Sequence, residues 1–447
     1  MEIISFRTPG LGDQTYLVAH EGKAVLVDPQ RDIDRFLGAA ADRDLDLRFV
    51  LETHMHNDYV SGGQQAALRT GAQLILPAAS AAAYRHTPAF HLEDIVGEDG
   101  LTIRPIHTPG HTPEHTSYLI LLDGKEVAVF SGGSLLVGSA GRPDLLGPER
   151  ADTLARLQYI SINRLASLPP EVELLPTHGE GSFCTATGAG KFTSTIGEEV
   201  ASNPLLACAT DDDLSHAMLR APMPIPGFYR YMGPANTMGV KPLPERRVPR
   251  LSVAEVEDRK DVHIVDMRPR QDQAKGVLRD TVAVEFGDDF GSWVGWLVPY
   301  NEPIVIVANP DQDVEAAITQ LHQIQFDNIV GIVNDVSGAT LHCDFELVDI
   351  AAARQLVEND DMQVLDVRMP NERATQGRFP GAVERFVADI FTQGIPSEIN
   401  KYRPVLIACA SGRRAVIAAS RLTSQGYDVR VMNPGGIPDL MSVEAGR

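Results

Sequence analysis

The 447-residue sequence is informative first for what it has little of. Cysteine occurs four times, at Cys184, Cys208, Cys343 and Cys409, with no two close together. That scatter excludes the dense disulfide framework of a small secreted domain and fits free thiols in a reducing compartment. No block of Lys or Arg occurs, and the formal net charge is −21. A nucleic-acid binder carries a basic patch or stripe, so nucleic acid is not an expected partner. The excess acid favours solubility and says little about fold. No apolar run is long enough to span a bilayer, so no membrane partner is expected. Met1-Glu2-Ile3-Ile4-Ser5-Phe6 lacks a basic segment leading into an apolar one, so a cytoplasmic location is expected.

What is present is ordinary globular material, with 43% hydrophobic and 22% charged residues. The length predicts two to four domains. In the first half, apolar strand segments are expected at Ala24–Val27, Leu47–Glu52, Leu101–Ile106, Ser117–Leu122, Val127–Phe130 and Glu171–Leu175. Ala151–Leu165 reads as a helix, with Asp152 and Thr153 near its start. Between 221 and 250, proline recurs at 222, 224, 226, 234, 242, 244 and 249, which predicts an extended connector. Its aromatics Phe228, Tyr229 and Tyr231 predict that it packs on a domain.

An internal repeat follows. Ile264-Val265-Asp266-Met267-Arg268 matches Val364-Leu365-Asp366-Val367-Arg368, and Ile304-Val305-Ile306-Val307 matches Val405-Leu406-Ile407-Ala408. Two similar α/β domains are the economical reading, over 251–340 and 341–447, after a first domain over 1–220.

Cys409-Ala410-Ser411-Gly412-Arg413-Arg414 follows an apolar strand and opens a helix. A cysteine at that junction sits among unpaired backbone N–H groups at the positive helix end, and both favour a thiolate. Arg413 and Arg414 add charge of the same sign, and Gly412 permits a tight turn. The cradle of Ala410, Ser411, Gly412, Arg413 and Arg414 would also hold an anionic substrate. A buried structural cysteine is the plain alternative, against which the flanking Gly-Arg-Arg argues. A cysteine-dependent phosphatase would place Arg six positions after Cys, where Ala415 stands here.

These residues resemble the rhodanese family, in which a short loop begins with a cysteine that carries sulfane sulfur. Asp366-Val367-Arg368, Glu372, Gly377-Arg378-Phe379-Pro380-Gly381-Ala382 and Gly435-Gly436 look like further landmarks of that family. In the first repeat Ala308 stands in the place of Cys409, with Asp311 and Asp313 replacing Gly412 and Arg414. Residues 251–340 are therefore expected to be an inactive copy with a structural or docking role.

The N-terminal half carries Thr53-His54-Met55-His56-Asn57-Asp58-Tyr59, Pro109-Gly110-His111-Thr112-Pro113-Glu114-His115 and Pro176-Thr177-His178-Gly179, each at a strand end. A lone histidine is usually a satisfied polar residue, but imidazoles converging from several strand ends are what a metal site needs. The pattern resembles the metallo-β-lactamase superfamily, an αββα sandwich, over about residues 1–220. With Gly141-Arg142-Pro143-Asp144-Leu145 and the domain order, it is similar to persulfide dioxygenases fused to rhodanese domains. The implied fold is α/β: an N-terminal αββα sandwich followed by two rhodanese-like α/β domains.

The resemblance implies one Fe(II) per chain on two histidines and an aspartate, with positions open for oxygen and substrate. His54 and His111 match the histidines, and Gly133 stands where the aspartate should be. Three readings stay open. His54, His56 and His111 form a three-histidine face suited to zinc; iron is held with an added water; or metal chemistry is lost. An aspartate restored at 133 is expected to raise iron occupancy. Tyr59 and Gly133 remove ligands of the two-metal hydrolases. Asp58, His115, His178 and Asp144 are placed around the pocket, and Arg142 is either an ion-pair partner of Asp144 or a contact for a substrate carboxylate. The function implied is oxidation of a low-molecular-weight persulfide to sulfite, with sulfur transfer to or from thiosulfate at Cys409. A sulfurtransferase with a non-oxidising metal domain and a mononuclear zinc thioesterase or glyoxalase II-like hydrolase are the rivals. Partners are the persulfide and thiosulfate or sulfite, and a homodimer is compatible with all three.

Overall fold

The computed structural model describes residues 1–186, 191–220, 223–243 and 247–442. Pro222 and Pro244 of the expected connector, and 443–447 of the last expected domain, lie outside these residues. The chain divides into two compact units, Met1–Pro244 with His322–Gln325, and Glu245–Leu321 with Phe326–Arg447.

The first unit is a sandwich of two six-stranded sheets. One sheet runs in sequence order through Glu2–Thr8, Asp13–His20, Lys23–Val27, Asp46–Leu51, Gln73–Pro77 and Thr87–Ala89. The other runs Ser194–Thr195, Glu173–Pro176, Lys125–Gly132, Thr116–Leu122, Leu101–His107 and Ile95–Val96. Their facing residues, among them Tyr16, Val25, Leu51, Ile75, Ile103, Tyr118, Phe130 and Leu175, form one core. Helices Asp34–Ala41 and Gly63–Thr70 bury Phe36 and Ala66 on the first sheet's outer face. Helix Pro148–Ala166 covers the second, burying Ala151, Leu154, Ala155, Gln158, Ile162 and Leu165. That i, i+3, i+4, i+7 spacing is an amphipathic stripe. Proline opens its first turn, four to five residues ahead of Asp152 and Thr153.

The expected strands are all present within one or two residues of their predicted ends. The expectation of an extended connector is corrected in part. Tyr229–Met238 is a helix despite Pro234, and it buries Tyr229, Met232 and Asn236.

The second unit contains the duplication. The first copy is a parallel sheet in the order Thr281–Ala283, His263–Asp266, Ile304–Val307, Ile329–Val333. The second has the same order in Val383–Glu384, Gln363–Asp366, Val405–Ala408 and Val429–Met432, with Glu346–Val348 added at the edge. Even this edge strand has a trace in the first copy, where Arg250 bridges Ile332 in parallel. A buried fork is repeated as well. Arg268 Nη2 lies 2.6 Å from Asp266 Oδ2 and donates to Gly276 O; Arg368 Nη2 lies 2.7 Å from Asp366 Oδ2 and donates to Gly377 O. Among the described residues no helix is long and apolar enough to cross a membrane.

Candidate metal centre and candidate sulfur-carrying cysteine

The three histidine motifs all emerge at strand ends on one rim of the sandwich. His54 follows Asp46–Leu51, His111 follows Leu101–His107, and His178 follows Glu173–Pro176. Their rings stand in a near-equilateral triangle, with centroid separations of 4.9 Å for His54–His111, 5.3 Å for His54–His178 and 5.2 Å for His111–His178. One ligand atom from each lies within 4.8 Å of the other two. All three residues are buried.

The protein fixes how each ring faces. His111 Nδ1 is 2.8 Å from the carbonyl oxygen of Arg142, which can only accept, so Nδ1 carries the proton and Nε2 keeps its lone pair. His54 Nδ1 is 2.9 Å from Thr53 Oγ1, whose own proton goes to Asp28 Oδ2 at 2.7 Å. His178 Nδ1 faces Asp13 Oδ1 at 2.8 Å and Asp58 Oδ2 at 3.3 Å. The three Nε2 atoms are thus turned inward, with His54 and His178 Nε2 3.4 Å apart and His111 Nε2 buried without a partner. Inward lone pairs held by outer acceptors are the arrangement of a metal-binding imidazole set. Burial, then the neighbouring rings, hold His54 well below the usual histidine range; burial acts first on His111 and His178 too, so all three favour the neutral, ligating form.

Helix Pro148–Ala166 sets the His111 loop. Gln158 Oε1 accepts the His111 N–H at 3.0 Å, and its amide donates to Ser134 O at 2.8 Å. Ser161 donates to Pro109 O. The connector helix closes the other side, where Asn236 donates to the carbonyls of His56 and Tyr59 and accepts from Ser61 N–H.

Of the expected face of His54, His56 and His111, the structure groups the first and last with His178; His56 falls in a second possible ligand set with Asp58 and His178, and its Nδ1 is buried without a hydrogen-bond partner. His56 turns its Nε2 to Tyr59 OH at 3.0 Å and to Asp28 and Glu52, each at 3.3 Å. Burial opposes a charge there, but these two carboxylates outweigh it and hold His56 well above the usual range. His115 is not free to ligate, since its Nε2 accepts the Gly133 N–H at 2.9 Å and its Nδ1 meets Thr108 Oγ1. Asp58 stands behind His178 and beside Cys184, whose Sγ is 3.4 Å from Asp58 Oδ2. Burial raises Asp13 to about 8 and Asp58 to about 7.

Of the two roles expected for Arg142, the structure shows the ion pair with Asp144. Its guanidinium is consumed by the protein, with both Asp144 oxygens at 2.6 Å and the carbonyls of Phe183 and Met223. The ion pair holds the segment whose carbonyl orients His111.

In the second unit, strand Val405–Ala408 delivers Cys409 to the start of helix Arg413–Ser424. Its Sγ accepts the N–H of Gly412 at 3.1 Å and of Ser411 at 3.4 Å. Gly412 has φ +88°, and a Cβ there would meet Met432 O and Asn433 Oδ1. The thiol is buried, and Ser411 above it is exposed. Arg414 is paired with both oxygens of Glu372, one at 2.7 Å. Burial alone would raise Glu372, but this pairing holds it below the usual range. Arg413 turns to the first copy, 2.7 Å from Asp289 Oδ1. Both arginines expected to bind substrate thus have carboxylate partners, but Arg414 also interacts with Cys409, so the sulfur is faced by this guanidinium as well as by the amides of Ser411 and Gly412.

In the first copy, Ala308 occupies the strand end. Pro310, at the place of Ser411, has no N–H to offer, and the loop is held instead by Gln312, whose Oε1 accepts the Asn309 N–H and whose amide donates to Met267 O.

Residues 9–178 match the metallo-beta-lactamase superfamily, and residues 349–439 match the rhodanese-like domain. A hydroxyacylglutathione hydrolase of Acidiphilium cryptum is 30% identical over 241 residues, covering 48% of this chain and 93% of that protein. The chain belongs to the metallo-β-lactamase superfamily. To this superfamily fold it adds the rhodanese-like domain. A metallo-beta-lactamase crystal structure from Staphylococcus aureus superposes with TM-score 0.67 at 24% identity, covering 75% of this chain and 99% of that one. This likeness extends the agreement in fold beyond the sandwich. The crystal structure of ETHE1 from Myxococcus xanthus matches at 30% identity with TM-score 0.46, covering 53% of this chain and 98% of that one.

Sequence reasoning did not find Asp13, Asp28, Thr53 or Gln158, which orient the ligand loops. Asp28 had one signal, a charged residue closing an apolar strand just before proline.

Proposed function

We propose that this chain is a sulfurtransferase that carries sulfane sulfur on Cys409, coupled to a mononuclear metal domain acting on a low-molecular-weight persulfide. The observation that carries the reading is the pair of main-chain N–H groups on Cys409 Sγ. Such donors stabilise a thiolate and, after transfer, an anionic persulfide. In the transfer, Cys409 thiolate attacks the outer sulfur of thiosulfate. The sulfur–sulfur bond breaks, sulfite leaves with the electron pair, and Cys409 persulfide forms. A nucleophilic acceptor such as cyanide then takes the terminal sulfur and restores the thiolate.

His54, His111 and His178 would hold the metal, for the buried, partnerless His111 Nε2 and the inward-turned rings fit a cation there. The set does not fit the two-histidine, one-aspartate iron triad, because Gly133 has no ligand atom and the His111 ring occupies its flank. A metal at this focus supplies Lewis acidity, and zinc or ferrous iron suits imidazole donors. Thr53, Arg142 and Asp13 keep the rings in register.

A mononuclear zinc hydrolase acting on a thioester is the second reading, favoured by a donor set of three histidines without a carboxylate. Elemental analysis, oxygen uptake with glutathione persulfide and thioester cleavage decide between them. Persulfide-dependent oxygen uptake lost in His54→Ala supports persulfide chemistry. Thioester cleavage with stoichiometric zinc and no oxygen uptake overturns it. Thiosulfate:cyanide transfer tests Cys409 separately, and its absence in the intact chain overturns the sulfur-carrier reading.

A further inference from the structure

The copy without a cysteine reaches into the loop of the copy that has one. Arg270 begins the short helix Arg270–Gln273 of the first copy, two residues after the Asp266–Arg268 fork. The repeat places Pro370 at the matching position, so this cation belongs to the first copy alone. Glu285, also from the first copy, anchors the guanidinium, with Oε2 2.7 Å from Nε and 2.5 Å from Nη2. The remaining nitrogen, Nη1, crosses to the second copy and donates to Ser411 O at 3.0 Å and Asn433 Oδ1 at 2.9 Å.

Ser411 O belongs to the same peptide unit as Gly412 N–H. In a planar trans peptide the C=O and N–H point in opposite directions. Tying the oxygen to Arg270 on one side therefore directs the N–H to the other side, where it meets Cys409 Sγ at 3.1 Å. A flipped peptide would set a carbonyl oxygen against the sulfur, which repels an anion. A charged donor on the carbonyl also polarises the peptide and strengthens its N–H.

We propose that Arg270 is a positioning residue for Cys409, locking the Ser411–Gly412 peptide with its N–H on the sulfur. The cysteine-free copy thereby sets the reactivity of the thiol in its neighbour. The proposal rests on Cys409 being the reacting thiol, and its test needs no sulfur substrate.

The experiment measures iodoacetamide alkylation of Cys409 across pH in the full chain, with site-resolved mass spectrometry to separate the other three cysteines. R270Q is expected to slow alkylation at pH 7 by about three- to tenfold and to move the profile to higher pH. R270K, which keeps one donor for the carbonyl, is expected to recover part of the loss. D289N cuts the cross-copy ion pair of Arg413 but leaves the peptide lock, and is expected to keep the wild-type profile. In thiosulfate:cyanide transfer, R270Q is expected to lower kcat with little change in KM. Should R270Q fail to fold, Glu285→Gln, which loosens the anchor, is expected to shift the profile in the same direction. A wild-type alkylation profile in folded R270Q, or in folded Glu285→Gln where R270Q cannot be obtained, overturns the proposal. So does a D289N shift as large as that of R270Q, which would mean general loosening of the two copies. Absence of transfer in the wild-type chain would end the sulfur-carrier reading alone, and the alkylation comparison would still decide Arg270.

Discussion

The ring of His111 stands where any side chain at Gly133 would have to go. A Cβ built on Gly133 would lie 2.8 Å from His111 Cγ and 2.9 Å from His111 Nε2. The ring cannot swing aside freely, because its Nδ1–H is bound to Arg142 O. The glycine thus leaves the room that the His111 ring occupies, as the proposed three-imidazole centre requires.

Gly133→Asp is consequently expected to lower metal content, opposite to what the sequence pattern alone suggests. Displacing His111 from its carbonyl partner should weaken binding by roughly 10- to 100-fold, the range for losing the groups that orient a ligand. Elemental analysis after dialysis against a weak chelator checks this. Higher occupancy in Gly133→Asp would show that the carboxylate can ligate after all.

His178→Ala and His56→Ala separate the two histidine assignments. Loss of His178 removes a ligand and should abolish stoichiometric metal. His56→Ala removes a cation held between Asp28 and Glu52, so its first effect should be on stability, with metal retained at higher loading concentrations. Equal metal loss in both variants, with unchanged melting temperatures, would contradict the distinction.

Cys409→Ser should abolish thiosulfate:cyanide transfer, while Cys343→Ser should leave it at the wild-type rate. Cys343 is half-buried, and its nearest described partner is Thr423. Residual transfer in Cys409→Ser would reassign the nucleophile.

The buried forks make a stability prediction. Asp366 and Arg368 are both fully buried. Replacing Asp366 by Ala strands the guanidinium in the interior and should destabilise the second copy by about 3–5 kcal/mol. Urea unfolding followed by fluorescence reads this, and a loss under about 1 kcal/mol would mean the pair is dispensable.

Much of this was legible in the sequence because it lay in local patterns. The strand ends carrying His54, His111 and His178 were visible, as were the duplicated apolar strands and the Gly412 turn. The roles of His56 and His178 were not. Spacing places both near the rim, but which nitrogen turns inward depends on Glu52, four residues from His56, and on Asp28 and Asp13, which are distant in sequence from the rings they meet. Arg413 and Arg414 part company for a related reason. Arg413 turns to Asp289, whereas Arg414 pairs with Glu372 and still reaches Cys409. Arg270 had no signal at all, since nothing in a linear pattern shows that the first copy's loop would touch the second. The connector helix was hidden by its prolines, which mask the contacts that Asn236 makes.

Those contacts bear on how the N-terminal half can be produced by itself. Asn236 supplies the partners for Ser61 N–H and for the carbonyl oxygens of His56 and Tyr59. A fragment stopped near residue 220, where the β-sandwich looks finished, would leave these groups bare beside the histidines. Ending the recombinant segment beyond Met238 keeps the plug that this rim was folded around.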